Sequence, residues 1–148
     1  MSIEIQLLTT DNTALLSNLA PEVFDQEINP QYLQAFLADD RHIMFVAIDN
    51  KSANDITVVG MASAVEYFHP DKPAQLWINE VGVATTHRRR GIGRKLIKAL
   101  ITVAEERGCV YTWLGTDTDN TPAQACFASI PDGEAPQKFL LYEWELKE

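Results

Sequence analysis

Trp77-Ile78-Asn79-Glu80-Val81-Gly82-Val83-Ala84-Thr85-Thr86-His87-Arg88-Arg89-Arg90-Gly91-Ile92-Gly93-Arg94 is the stretch whose reading decides the fold. Gln75 to Ala84 reads as a strand. A basic loop with two glycines follows, and Gly91 to Arg107 then reads as a helix. In that helix Leu96, Leu100 and Val103 share one side with Ile92 a turn earlier, Ile97, Ile101 and Ala104 widen the apolar face, and Gly108 is a C-terminal stop. Half of the 12 Lys and Arg residues fall between Arg88 and Lys98, a window without Asp or Glu, in a chain with 21 acidic residues. Positive charge gathered at a helix start, beside first-turn N–H groups without intrahelical partners, suits a small polyanion. Gly91 and Gly93 let backbone come close to such a ligand, and Arg88, Arg89, Arg90 and Arg94 can add charge-assisted hydrogen bonds to phosphate. The loop lacks the Gly-Lys-Ser/Thr ending of an NTPase phosphate loop and the three glycines of a dinucleotide fingerprint.

Working outward, the strand order is readable on both sides. Ile3-Glu4-Ile5-Gln6-Leu7 alternates as a first strand. Asp11 or Asn12 can cap a helix over Ala14, Leu15, Leu16 and Leu19. Asn29-Pro30 is a cap followed by proline at the first helical position, and Tyr32, Leu33, Phe36 and Leu37 lie on one side of the helix behind it. His42 to Asp49 is an apolar strand, Asp49-Asn50-Lys51-Ser52 is turn-rich, and Ile56 to Tyr67 is another β-rich run. Pro70-Asp71-Lys72-Pro73 marks a loop. Past the long helix, Cys109 to Gly115 reads as a buried strand, Asn120-Thr121-Pro122 starts a short helix through Phe127, and Phe139 to Leu146 reads as a last strand. This β-α-α-β-β-β-α-β-α-β order predicts a mixed α/β (α+β) fold, with helices on both faces of one sheet. Ligands of such sheets sit near the C-terminal ends of central strands.

The bulk numbers bound the function. At 148 residues the chain is expected to form one domain, residues 1–148. A net charge of -9 argues against nucleic acid and against an anionic membrane surface, and is compatible with a cationic substrate. No apolar run approaches the roughly 18 residues needed to span a membrane. Met1-Ser2-Ile3-Glu4-Ile5 shows no basic region followed by an apolar one, so a cytoplasmic location is expected. Cys109 and Cys126 form neither a metal spacing nor a disulfide framework, and read as small core residues. His42, His69 and His87 form no triad spacing, and His87 reads as a loop or phosphate-side residue.

These residues resemble a known family. Val81-Gly82-Val83, a four-residue spacer, Arg88-x-x-Gly91-x-Gly93 and an apolar helix resemble the acyl-CoA site of the GNAT acetyltransferase superfamily, whose pattern is Gln/Arg-x-x-Gly-x-Gly/Ala. Asn120-x-x-Ala123-x-x-x-Phe127 resembles that family's second motif, and the element order fits along essentially the whole chain. The resemblance implies a mixed sheet of about six to seven strands flanked by about four helices. It implies acetyl-CoA as co-substrate, with no metal. Val81 and Val83 would pair with the pantetheine arm like an added strand. Arg89 to Arg94, with Ile92 among them, would cradle the pyrophosphate. Asn120, with Ala123 and Phe127 on its helix, would lie beside the pantetheine, and the central strands would splay near Gly82. Arg89 stands where a glycine is frequent. Family members are often dimers, and the C-terminal strand offers a pairing edge.

The implied reaction is attack of an amine on a thioester. An alkylammonium of pKa about 10.4 must first lose a proton, and a carboxylate is the usual acceptor of it. Glu80, three residues before Val83, is the expected base. An acidic residue also occupies this place in look-alikes of the aminoglycoside 3-N-acetyltransferase type, which the tail of the chain resembles more than it does the protein-modifying branch. Phe127 stands where the family often has a tyrosine that protonates the departing thiolate. Three readings follow: a thiol of pKa about 8.5 leaves unaided, another hydroxyl, with Tyr142 first, takes over, or the chain is a non-catalytic acyl-CoA-binding module. Gly115 stands where protein N-terminal acetyltransferases can carry a glutamate, which weighs against a protein or peptide acceptor. Asp117 and Asp119 follow the strand beside the expected splay, and could read a small polycationic amine such as an aminoglycoside or a polyamine.

Overall fold

The computed structural model describes residues 2–52 and 54–147 and separates into two units, Met1–Gly115 and Thr116–Glu148. In the first unit β1 (Ser2–Leu7), β2 (His42–Ser52), β3 (Asp55–Tyr67) and β4 (Gln75–Val83) form an antiparallel meander, and β5 (Thr112–Trp113) joins β4 in parallel, giving the order β1-β2-β3-β4-β5. A parallel neighbour requires a crossover connection. Here it is α2 (Ile92–Glu106), the helix predicted from the apolar stripe behind the basic loop.

The core lies between α2 and the middle of the sheet. Leu96, Ile97 and Leu100 are almost wholly buried, as are Val46, Ile48, Val58 and Val59 on β2 and β3. Burying each large aliphatic side chain contributes about 1.5–3 kcal/mol. The seven-residue run Val58–Ala64 of β3 is buried throughout, which explains its unbroken small and apolar character. α2 stops because Gly108 adopts φ +78, letting its N–H reach Glu105 O and the Cys109 N–H reach Ala104 O, the paired bonds of a glycine-terminated helix. Cys109 beyond it is half-buried, and burial pushes its thiol pKa up.

α1 (Pro30–Ala38) begins as expected: the Asn29 side chain accepts from the N–H groups of Gln31 and Tyr32, with proline at the first position. The helix expected over Ala14 to Leu19 is instead a short 3-10 turn, Thr13–Ser17. Asn12 does not cap it, because its side chain is spent upstream, accepting from Thr9 N and donating to Leu7 O.

The second unit holds α3 (Thr121–Ala128), with the Asn120 side chain accepting from Ala123 N at its start. Two expected strands are corrected. Cys109 to Gly115 contributes only Thr112–Trp113 to the sheet, and Phe139 to Leu146 is not a strand. The large apolar side chains of that tail, from Phe139 to Leu146, are 62–83% exposed. An alternating pattern becomes a strand only against a partner edge and an apolar face, and the segment's own residues supply neither. Among the described residues the chain thus has five strands and three α-helices rather than six to seven and four, within the same mixed class. None of these helices is long and apolar enough to cross a membrane.

Candidate functional site

The site is organised by the end of β4. Opposite β3, Ala64 pairs with Ile78 while Ser63 pairs with Glu80, so β4 carries one extra residue, Asn79, in a bulge. The bulge restarts the alternation. Leu76 and Ile78 are buried, whereas Glu80, two residues on, is exposed and faces a cavity of about 350 Å3. On its other side β4 pairs with β5, among the described residues, only at Leu76–Thr112 and Trp77–Trp113, with Leu76 N donating to Tyr111 O just before β5. Val81, Gly82 and Val83 therefore have β3 on one side and, among the described residues, no strand on the other.

Gly82 is required by close approach. A Cβ there would sit 2.3 Å from Val23 O, so the backbone between the 3-10 turn and α1 crosses directly over β4. Buried Val23 pins this segment, and its continuation walls the cavity. Phe24, Asp25, Glu27, Tyr32 and Phe36 line it together with Glu80. Three carboxylates among aromatic faces suit an ammonium group, through charge and through ring quadrupoles. From sequence Tyr32 and Phe36 were only one side of a helix, and Phe24, Asp25 and Glu27 were not singled out; loop carboxylates carry no spacing signal, and the crossing at Gly82 brings their segment to Glu80.

The anion side follows. Ala84 N donates to Val59 O and His87 N to Ala84 O, closing a 3-10 turn over Thr85–His87. Arg88 turns back to the strand, donating from Nε to Val83 O at 3.3 Å, with its guanidinium 3.7 Å from Glu22. Thr85 also donates to Glu22. Arg89 adopts φ +65, a left-handed conformation that glycine takes without cost. Gly91, at φ +74, begins α2 without any side-chain cap. The first-turn amides, Ile92, Gly93 and Arg94, have no intrahelical partner and can meet an external acceptor. No acidic residue lies in that turn, Arg89 and Arg90 are exposed, and Arg94 Nε is buried without a hydrogen-bond partner among the described residues. An uncapped helix start with an orphaned guanidinium nitrogen fits a phosphate-bearing ligand.

His87 has a partner that spacing did not reveal. Its Nε2 lies 2.8 Å from Asp49 Oδ2, and its Nδ1 lies 2.8 Å from Thr86 Oγ1. Asp49 is 1% exposed, near the end of β2. The available signal was an acid directly after the apolar run Ile43 to Ile48.

Asp117, Asp119, Asn120, Ala123, Phe127 and Tyr142 belong to the second unit. Asp117 and Asp119 are exposed, and the carbonyl of Asp117 accepts from the Gln124 side chain. Asn120 serves as the N-cap of α3, Ala123 and Phe127 are half-buried, and Tyr142 is 70% exposed.

Residues 9–130 match the model of the Acetyltransferase (GNAT) family. A probable N-acetyltransferase, HLS1-like, of Arabidopsis thaliana is 34% identical over 71 residues, which is 48% of this chain and 15% of that protein. The matched stretch is thus a small part of that relative's length. Among solved structures, an aminoglycoside acetyltransferase, meta-AAC0020, from an uncultured soil metagenomic sample in complex with trehalose, has a TM-score of 0.82 at 20% identity, covering 98% of this chain and 97% of that chain. AAC(6')-Iy, in complex with the bisubstrate analog CoA-S-monomethyl-acetylneamine, has a TM-score of 0.76 at 17% identity, covering 99% and 100%. At these identities the likeness is one of fold.

Proposed function

The chain belongs to the Acetyltransferase (GNAT) family, and from that premise we propose that it transfers an acetyl group from acetyl-CoA to a primary amine of a small, cationic acceptor. The observation that carries the acceptor class is the cavity in which Glu80 shares its walls with Asp25, Glu27 and aromatic rings. Aminoglycoside acetyltransferases among the solved structures of the same fold agree with it.

Acetyl-CoA, when bound, supplies the acetyl group as a thioester. Arg89, Arg90, Arg94 and the amides at the start of α2 hold its pyrophosphate, and Val81 and Val83 offer backbone groups to the pantetheine arm along the edge of β4. The Arg88 side chain, bonded to Val83 O, yields to that arm. Asp25 and Glu27 draw the acceptor ammonium into the cavity, and Glu80 takes its proton, leaving the lone pair for attack. Position 127 being a phenylalanine, the proton for the departing sulfur comes from Tyr32 on the cavity wall. Residues 1–148 act as one catalytic domain.

A panel of amines assayed by thiol release tests this reading. CoA at about 100-fold excess over its Kd should raise the melting temperature by about 5–10 °C, and no shift would sink it. Glu80→Gln should lower kcat by about 100-fold or more while moving the Kd for CoA less than twofold. An unchanged kcat would remove Glu80 as base. Turnover of no amine, with CoA bound, would leave the acyl-CoA-binding module that Phe127 in place of tyrosine favours.

A further inference from the structure

We propose that Asp49 and His87 are positioning residues for the pyrophosphate loop, a buried carboxylate on the sheet holding the imidazole from which the basic run departs. The proposal rests on the acetyl-CoA reading above for what the loop binds, but not for what the pair does to the loop.

Asp49 sits on β2 after Ala47 and Ile48, themselves 0% and 1% exposed, and is buried as deeply as they are. A carboxylate is unfavourable in such a place unless it is paired. Its Oδ2 meets His87 Nε2 at 2.8 Å, and its Oδ1 has no hydrogen-bond partner among the described residues. His87 is thus the group that makes an acid at position 49 tolerable. The imidazole is held at both ends, since Thr86 Oγ1 lies 2.8 Å from Nδ1. An ionised Asp49 requires the proton on Nε2, so Nδ1 accepts from the Thr86 hydroxyl when the ring is neutral.

The position of this pair gives it a role. His87 ends the 3-10 turn, and the next residues are Arg88, Arg89, Arg90 and the left-handed Gly91 that opens α2. At its other end the turn is tied to β3 by Ala84 N and Val59 O. Between that tie and the buried Ile92, the pair reaches from the loop to a side chain buried within the sheet, while Arg88 donates to Val83 O at the end of β4. It sets where the chain leaves the sheet and hence where the Arg89 and Arg90 side chains and the first amides of α2 stand relative to one another. Neither residue touches the proposed ligand by this reading.

The test compares the full-length protein with three variants. His87→Gln keeps an N–H donor for Asp49, Asp49→Asn keeps the volume without the charge, and the double change Asp49→Val with His87→Leu removes both partners so that no buried charge is left unpaired. Melting temperature reports folding, titration with CoA reports the donor site, and acceptor KM reports the amine cavity. The expected result is a folded double variant whose Kd for CoA rises about tenfold, the worth of one misplaced charge-assisted hydrogen bond, with acceptor KM unchanged and His87→Gln close to the parent. Hydrogen exchange of amides 85–94 without CoA should quicken in the double variant and in Asp49→Asn, but not in His87→Gln. Parent-like CoA affinity together with parent-like exchange in a folded double variant overturns the proposal. If the double variant does not fold, exchange and affinity in Asp49→Asn decide it by the same criterion. If the parent itself fails to bind CoA, the donor reading falls, and the exchange comparison still decides whether the pair orders the loop.

Discussion

At position 82 the difference between glycine and any other residue is one carbon placed 2.3 Å from a carbonyl oxygen. Backbone, unlike the end of a flexible side chain, has little room to yield, so Gly82→Ala should displace the Val23 segment. The expected cost is about 1–3 kcal/mol of stability, read from thermal unfolding. Acceptor KM should rise more than the Kd for CoA, since the displaced segment walls the amine cavity. A variant with parent stability and parent KM would mean that the crossing is not held there. The sequence singled out Gly82 within Val81-Gly82-Val83, but offered no sign that a loop from some 60 residues upstream requires the glycine. Glu80 was legible as a carboxylate next to the motif. The bulge at Asn79 that turns it out of the core was not, because a bulge is a property of two paired strands.

At the scale of the element, α2 was the most legible part of the chain. Its predicted span, Gly91 to Arg107, differs from the observed Ile92–Glu106 by one residue at each end. Three local signals coincide there: an apolar stripe of helical period, a glycine start and a glycine stop. Leu100 is 0% exposed at the centre of that stripe. Leu100→Ala should cost about 2–5 kcal/mol and show as a lower denaturation midpoint with an unchanged denaturant slope; a loss below about 1 kcal/mol would mean that the site collapses around the gap. Strands were less legible, for a physical reason. A helix satisfies its own backbone, whereas a strand is half of a structure and its length is set by its neighbour. Of Cys109 to Gly115 only Thr112–Trp113 is a strand, and the alternating tail from Phe139 to Leu146 forms none. The 3-10 turn at Thr13–Ser17 shows the same limit for caps, since Asn12 could serve either the helix ahead or the turn behind, and serves the turn.

For the whole molecule the governing feature is separation of charge. The chain carries a net charge of -9, yet the loop before α2 is basic and the cavity beside β4 is lined by Asp25, Glu27 and Glu80. By the proposed function, a cation and a polyanion are thus directed to different places on one protein. Raising salt from about 0.05 to 0.5 M shortens the screening length from above 10 Å to a few Å. The KM of a polycationic amine should then rise several-fold, with kcat little changed and a monoamine less affected. Equal responses for mono- and polyamines would argue that the cavity carboxylates do not read acceptor charge. The sequence by itself determined the mixed class, the strand–loop–helix unit and the basic, glycine-containing character of its loop, because each is written within a stretch of neighbouring residues as period, glycine and charge. Only the tertiary structure brought Asp25 and Glu27 to Glu80 around one cavity and gave His87 its partner. Asp49 lies 38 residues from His87, and Asp25 and Glu27 lie still farther from Glu80. What joins them is the antiparallel return of the strands and a backbone crossing at Gly82, and no local spacing records a contact that the chain makes only by folding back on itself.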